Sequence, residues 1–280
     1  MYSFARKPIW LAGHALAGGL LVIFVIAGFW QLSRHNEVSD RNAAVAERTE
    51  MPPLDADRFF DAVSGTEIAD ELEHRLVTLP VDENGWDYLH EAVQIRRRSL
   101  NGLPGCHMAR PVAAASNDSA ESYGVLLVQG WLPQRACTAW LEGDVGVIGS
   151  RLPAARQIIG RVRVSQQRGL LGPSDPAQGQ LDSLARTDVE RIDQQTTLSL
   201  VPVYVELISA TDADGALIEL GASSPGVAVP QLVPAPELDA GPHLGYTFQW
   251  FSFAAVAIVG YTLVLRHQAR KGESEQIADD

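Results

Sequence analysis

The sequence predicts an α+β protein in which two transmembrane helices flank a mostly antiparallel β extracytoplasmic domain with small helices. Three observations carry that prediction. Runs of 22 residues without a charged side chain stand near both ends, Ile9 to Trp30 and Leu244 to Leu265. The long segment between them alternates apolar and polar residues in several places. Both lysines and three arginines stand on the terminal sides of the two runs.

As a helix rising about 1.5 Å per residue, each run reaches about 33 Å, enough for a hydrocarbon core of about 30 Å. Arg6 and Lys7 precede the first run, as they would in a secretory signal. Its apolar part is longer than a signal's, however, and no small-x-small cleavage site follows, so "AGFWQLSR" reads as an uncleaved anchor. The two lysines, Lys7 and Lys271, lie with Arg6, Arg266 and Arg270 outside the runs. Basic flanks are retained on the cytoplasmic side, so both termini are expected there. The segments are then 1–8 (cytoplasmic), 9–31 (first helix), 32–242 (extracytoplasmic), 243–265 (second helix) and 266–280 (cytoplasmic tail), placed in a cell inner membrane.

The middle segment holds 17 of the 22 basic and 30 of the 34 acidic residues. That balance argues against a nucleic-acid partner and for a solvated surface. Cys106 and Cys137 fall in a compartment where a disulfide persists, although spacing leaves open whether they pair or stand as two thiols.

Within the segment, "HRLVTLPV" puts Val77, Leu79 and Val81 on one face, and "IIGRVRVS" sets Ile158, Gly160, Val162 and Val164 against Arg161 and Arg163. Period two means half-buried strands. "LVPVYVELI" repeats the pattern, with Pro202 marking an edge or a bulge. "YGVLLVQGW" is apolar on both faces, as a central strand would be. "AAASNDSAES" is a hairpin loop, "LLGPSDPAQGQ" another loop, and "LDSLARTDVERIDQQ" has Leu181, Leu184, Ala185, Val189 and Ile192 at helical spacing. The first helix has no Gly or Pro between Trp30 and Pro52 and is free to continue, whereas "SSPGVAVPQLVPAPELDAGP" is an extended linker.

No phosphate-binding glycine loop, H-E-x-x-H, C-x-x-C or G-x-S-x-G is present, so no enzyme is expected. Cys106, His107 and Met108 are soft or borderline ligands in a row, and a copper site there would need a distant partner such as Cys137. An ordinary strand start is the other reading.

The second run opens with "GPHLGYTFQW". On a helix, His243, Tyr246, Trp250 and Phe253 share a face, with Gln249 beside Tyr246. An interfacial aromatic belt explains Tyr246 and Trp250 but neither His243 nor Gln249. The first run leaves the membrane through "GFWQLSR", with Trp30 and Arg34 one turn apart. A guanidinium there, near an imidazole on a second helix, suits an amphipathic acid whose body lies in lipid.

"GFWQLSRHNEVSDRN", "RRSLNGLPGCHMARP", "VLLVQGWLP", "GRVRVSQQRGLLGPSDP" and "GPHLGYTFQWFSFA", in this order, resemble the Surfeit locus protein 1 family of cytochrome c oxidase assembly factors. The resemblance implies a chaperone role in respiratory-chain biogenesis, in which transiently bound heme a is passed to oxidase subunit I, with heme a synthase as a second partner. It makes His243 the iron ligand and places the family's membrane motifs on Trp30, Gln31, Arg34, Tyr246, Gln249 and Trp250. A neutral ligand imidazole needs a hydrogen bond from its other nitrogen, for which a backbone carbonyl is the expectation. His14 is a second candidate, two to three turns below His243. The chain departs from the family at Gln129, where an arginine is usual, and at Cys106, where an aromatic often stands. The rival readings are a heme-free scaffold for oxidase subunits and a membrane-tethered copper donor.

Overall fold

The computed structural model describes residues 6–64, 69–81, 91–115, 122–143, 146–147, 154–169, 172–218 and 227–279. They fall into two compact units, 1–46 with 237–280, and 47–236.

The first unit is a pair of helices, α1 (Pro8–Glu50) and α6 (His243–Asp279). Contacts run antiparallel along it: Gln31 meets His243, Gly28 lies under the Phe251 ring, Phe24 packs on Trp250 and Phe253, and His14 bonds Tyr261. The remaining apolar side chains point outward. Ile9, Leu16, Ile26, Phe248 and Val256 are all more than 60% exposed. A surface of that kind is stable against lipid and not against water, so the chain is a membrane protein with two spans. The first helix continues to Glu50 and stops just before Pro52, as its composition allows.

The second unit is built on a seven-stranded sheet. Its strands are β1 (Leu76–Pro80), β2 (Val93–Leu100), β3 (Leu103–Ala115), β4 (Ser122–Pro133), β6 (Gln157–Val164), β7 (Ser183–Leu184) and β8 (Leu200–Thr211), in the order β1-β6-β8-β4-β3-β2-β7. All neighbours are antiparallel except β4 with β8 and β2 with β7. A separate parallel pair joins β5 (Gly146–Val147) to β9 (Val227–Ala228).

Both sheet faces are covered, which is why the central strand β4 reads as a continuous apolar run. On one face, α2 (Ala56–Ser64) presses Phe59, Phe60 and Val63 onto Val77, Leu79, Val112, Leu127, Ile158 and Val205. A short α3 (Ala69–Leu72) lies nearby in sequence. On the other face, Leu184 of β7 and Val189 and Ile192 of α5 (Val189–Asp193) cover Ile95, Leu126, Val128 and Tyr204. α4 (Gln134–Leu141) follows β4 directly and is tied to β3 by the Cys106–Cys137 disulfide. By loop-closure entropy a bridge across 31 residues stabilises the domain by about 3–4 kcal/mol.

One expectation changes, and of the two readings of Pro202 the bulge is the one found. The helix expected from Leu181 onward begins at Val189, because the Asp188 side chain caps it by accepting from the Arg191 amide, while Ser183 and Leu184 add a strand to β2. Pro202 lies on an inner strand. Its missing donor falls in a bulge, where Gly124 to Leu126 of β4 faces Leu200 to Tyr204. The hairpin loop between β3 and β4 lies mostly outside the described residues.

Candidate functional site

The site is built where α1 leaves its apolar stretch and α6 begins. Residues of α1 at alternating three- and four-residue steps, including Phe24, Gly28 and Gln31, face α6, and His243, Thr247, Trp250 and Ala254 answer from α6. Gly28 is needed at this crossing because a Cβ there would stand 2.8 Å from the Phe251 ring. The close approach brings two side chains 212 positions apart into contact: His243 Nδ1 lies 2.9 Å from Gln31 Oε1.

That hydrogen bond fixes the chemistry of the ring. An amide oxygen only accepts, so Nδ1 carries the proton and donates, and Nε2 keeps its lone pair. Among the described residues no hydrogen bond to Nε2 occurs. Gly241 beside it sits at φ 70°, and a Cβ there would stand 3.6 Å from Nε2. The expected backbone carbonyl partner is thus replaced by the side chain of Gln31.

The other sequence candidates are arranged around this pair in different ways. Trp250 is half-buried and packs on Phe24 and Phe253 with centroids 5.8 and 5.9 Å away. Trp30 and Tyr246 are 61% and 48% exposed, and Gln249 is exposed as well, so all three face outward from the helix pair. Arg34 also points outward and pairs with Glu37 at 2.7 Å, both side chains being substantially exposed.

His14 occupies a separate place. Its Nδ1 bonds the Tyr261 hydroxyl, and with Ala17, Gly18, Leu21 and Ala257 the pair lines an apolar groove of about 260 Å³. Tyr261 follows His243 by 18 residues on the same helix, five turns or about 27 Å. The expected separation of two to three turns is too small, and both imidazoles cannot reach one iron.

His35 was not among the sequence candidates. It stands one turn beyond Gln31 on the same face, with Nδ1 buried and without a hydrogen bond among the described residues. The i, i+4 spacing from Gln31 was the available signal. Gln129, at the family's arginine position, is 3% exposed, and neither amide atom finds a partner among the described residues.

The copper reading loses its thiol, since Cys106 is in the disulfide. Met108 is buried on that strand, and no group of three metal-ligating side chains occurs among the described residues.

No curated protein matches the chain significantly. A family model described as the SURF1 family matches residues 19–255, from within the first apolar helix to within the second. With that match covering both halves of the Gln31–His243 pair and the whole sheet domain, the chain belongs to the SURF1 family, a family of oxidase assembly factors rather than of enzymes.

Proposed function

We propose that this protein carries heme a as cargo at the outer interface of the membrane and helps its insertion into subunit I of the oxidase. The observation that supports it best is the hydrogen bond from His243 Nδ1 to Gln31 Oε1, which in the neutral ring leaves the Nε2 lone pair unused and fixed in direction. When bound, the heme would supply an iron that a neutral imidazole nitrogen can ligate, and His243 would hold it. Everything else is the work of this chain.

Gln31 holds the proton on Nδ1 and orients the ring, as second partners of metal-bound histidines generally do. Trp30 and Tyr246 offer exposed aromatic faces that a macrocycle lying in lipid can cover. Among the described residues Arg34 is held by an exposed pair with Glu37 alone, worth about 0.2–1 kcal/mol, so a propionate can replace that partner at small cost. A carrier has to release its cargo, and a site on the outside of a two-helix pair gives the recipient direct access.

Arg6 and Lys7 at one end and Arg266, Arg270 and Lys271 at the other support cytoplasmic termini and an extracytoplasmic sheet domain in a bacterial-type plasma membrane. In that orientation the His243–Gln31 pair lies on the extracytoplasmic side, where heme a synthase would deliver and subunit I would receive.

The test is complementation of a deletion strain with His243→Ala, reading oxidase heme a content per subunit I in isolated membranes. A carrier requires a large loss with subunit I still present. Wild-type heme content would instead support a heme-free scaffold.

A further inference from the structure

We propose that Arg98, Arg163 and His107 form a binding site for the carboxylate of a small molecule on the α5-covered face of the sheet. The proposal concerns the sheet domain alone and does not depend on the heme reading.

The site exists because β2 is bulged. Ile95 pairs with His107 and Arg98 with Gly105, so three steps on β2 match two on β3, and Arg97 takes φ 60° to allow it. A left-handed conformation at a non-glycine residue costs about 1 kcal/mol or more. Its effect is to turn Arg98 onto the face that carries Ile95 and His107. Bulges that re-aim one side chain are common beside binding sites.

On the same face, β6 contributes Arg161 and Arg163 and β8 contributes Tyr204 and Glu206, directly opposite one another in register. The charges there do not balance. Glu206 is shared by Arg161 and Arg163, both at 3.3 Å, and Glu73 takes the Nε of Arg163 at 3.3 Å. Among the described residues Arg98 forms no ion pair, and Glu206, already shared by two arginines, is the carboxylate that acts on it from nearby. The Nη2 of Arg98 bonds the neutral amide oxygen of Gln166 at 2.7 Å, which in turn is tied to Tyr204, and its buried Nε has no partner among the described residues.

A recessed guanidinium without a counter-charge is costly, and desolvation holds the pKa of Arg98 below its ordinary value. His107 completes the cluster. Burial, then Arg98 and Arg163, push its imidazole down to about 4, so it is neutral and can donate or accept without adding charge. No hydrogen bond links its ring to another side chain among the described residues.

One unmatched cation calls for one negative charge. A carboxylate carries one and presents two coplanar oxygens to a guanidinium fork, whereas a phosphate dianion would leave an excess. The groups are recessed, with Arg163 25% exposed and Arg161 and Glu206 at 5–6%, which favours a small molecule over the side chain of a docked protein.

The test is equilibrium dialysis of the detergent-solubilised full chain against radiolabelled succinate, with succinamide, inorganic phosphate and a glutamate hexapeptide as competitors. We expect one saturable site, displaced by unlabelled succinate but not by succinamide. Affinity should fall at least tenfold in Arg98→Gln and in Arg163→Gln and stay unchanged in Arg58→Gln, an exposed arginine elsewhere. Arg98→Lys keeps the charge and bulge but loses the fork, and should bind more weakly than wild type while melting like it. Absence of saturable binding, undiminished binding in Arg98→Gln, or stronger competition by phosphate or by the hexapeptide would each overturn the proposal.

Discussion

The two ends of the helix pair each hold a histidine bonded through Nδ1 to the opposite helix, yet the partners differ in kind. His243 meets an amide oxygen, which can only accept, and His14 meets a hydroxyl, which can do either. The first partner dictates the tautomer of the neutral ring and leaves the Nε2 lone pair unused. The second leaves the proton free to sit on either side of the bond. One end therefore matches the ligand role proposed for it, while the other joins two helices beside an apolar groove, where polar contacts of this sort are worth about 0.6–2 kcal/mol.

The strongest way to break this comparison is to separate the helices. Gly28→Leu puts a side chain where the Phe251 ring stands, and the two helices must move apart at the turn below Gln31. Heme a should no longer copurify, while Tyr261 and His14, four turns away, stay crosslinkable through engineered cysteines at neighbouring positions. Loss of both would show that the two ends are not independent.

A third imidazole extends the contrast outside the membrane. The pKa of His107 falls from 6.5 to about 4 on folding through burial and the nearby guanidiniums. The unfolded chain then binds a proton below pH 6.5 that the folded domain refuses, so stability falls as pH drops from about 6.5 to 4. The loss attributable to His107 should be about 2–3 kcal/mol at pH 4.5. Urea midpoints measured at pH 7 and 4.5 should therefore converge in His107→Asn, and an unchanged pH dependence in that variant would remove the assignment.

Next in size is the partner itself. Gln31→Leu removes the acceptor and should weaken heme a binding about 10–100-fold, the usual cost of losing the group that orients a metal-bound histidine. Gln31→Glu keeps an acceptor at that position and should recover most of the affinity. Equal affinity in all three proteins would mean that Gln31 does not set the ring.

The smallest effect is expected at the far end. Tyr261→Phe should lower thermal stability of the helix pair by about 1 kcal/mol and change heme a binding less than twofold. A tenfold loss of heme would merge the two ends into one site.

Much of this was legible in the sequence because lipid and β pairing impose simple periods. The 22-residue uncharged runs announce α1 and α6, and alternation picks out Val77, Leu79 and Val81 or Ile158 and Val162 as core positions. What could not be read depends on register between distant segments. The pairing of Gln31 with His243 follows from where two helices cross. The arginine cluster requires the bulge at Arg97, which shifts Arg98 to the face opposite the one that simple alternation from Arg97 would give it. Leu181 and Leu184 matched a helical spacing, yet Ser183 and Leu184 found an open strand edge in β2, and tertiary pairing overrode the local pattern. Spacing also left the state of Cys106 and Cys137 open, since it says nothing about whether α4 would fold back onto β3.

The most direct measurement is the visible absorption spectrum of the detergent-purified protein, co-expressed with heme a synthesis, for wild type, His243→Ala and His14→Ala prepared identically. The account predicts a heme a band in wild type and His14→Ala and its loss in His243→Ala. A band of equal strength in His243→Ala, or one lost only in His14→Ala, would contradict it.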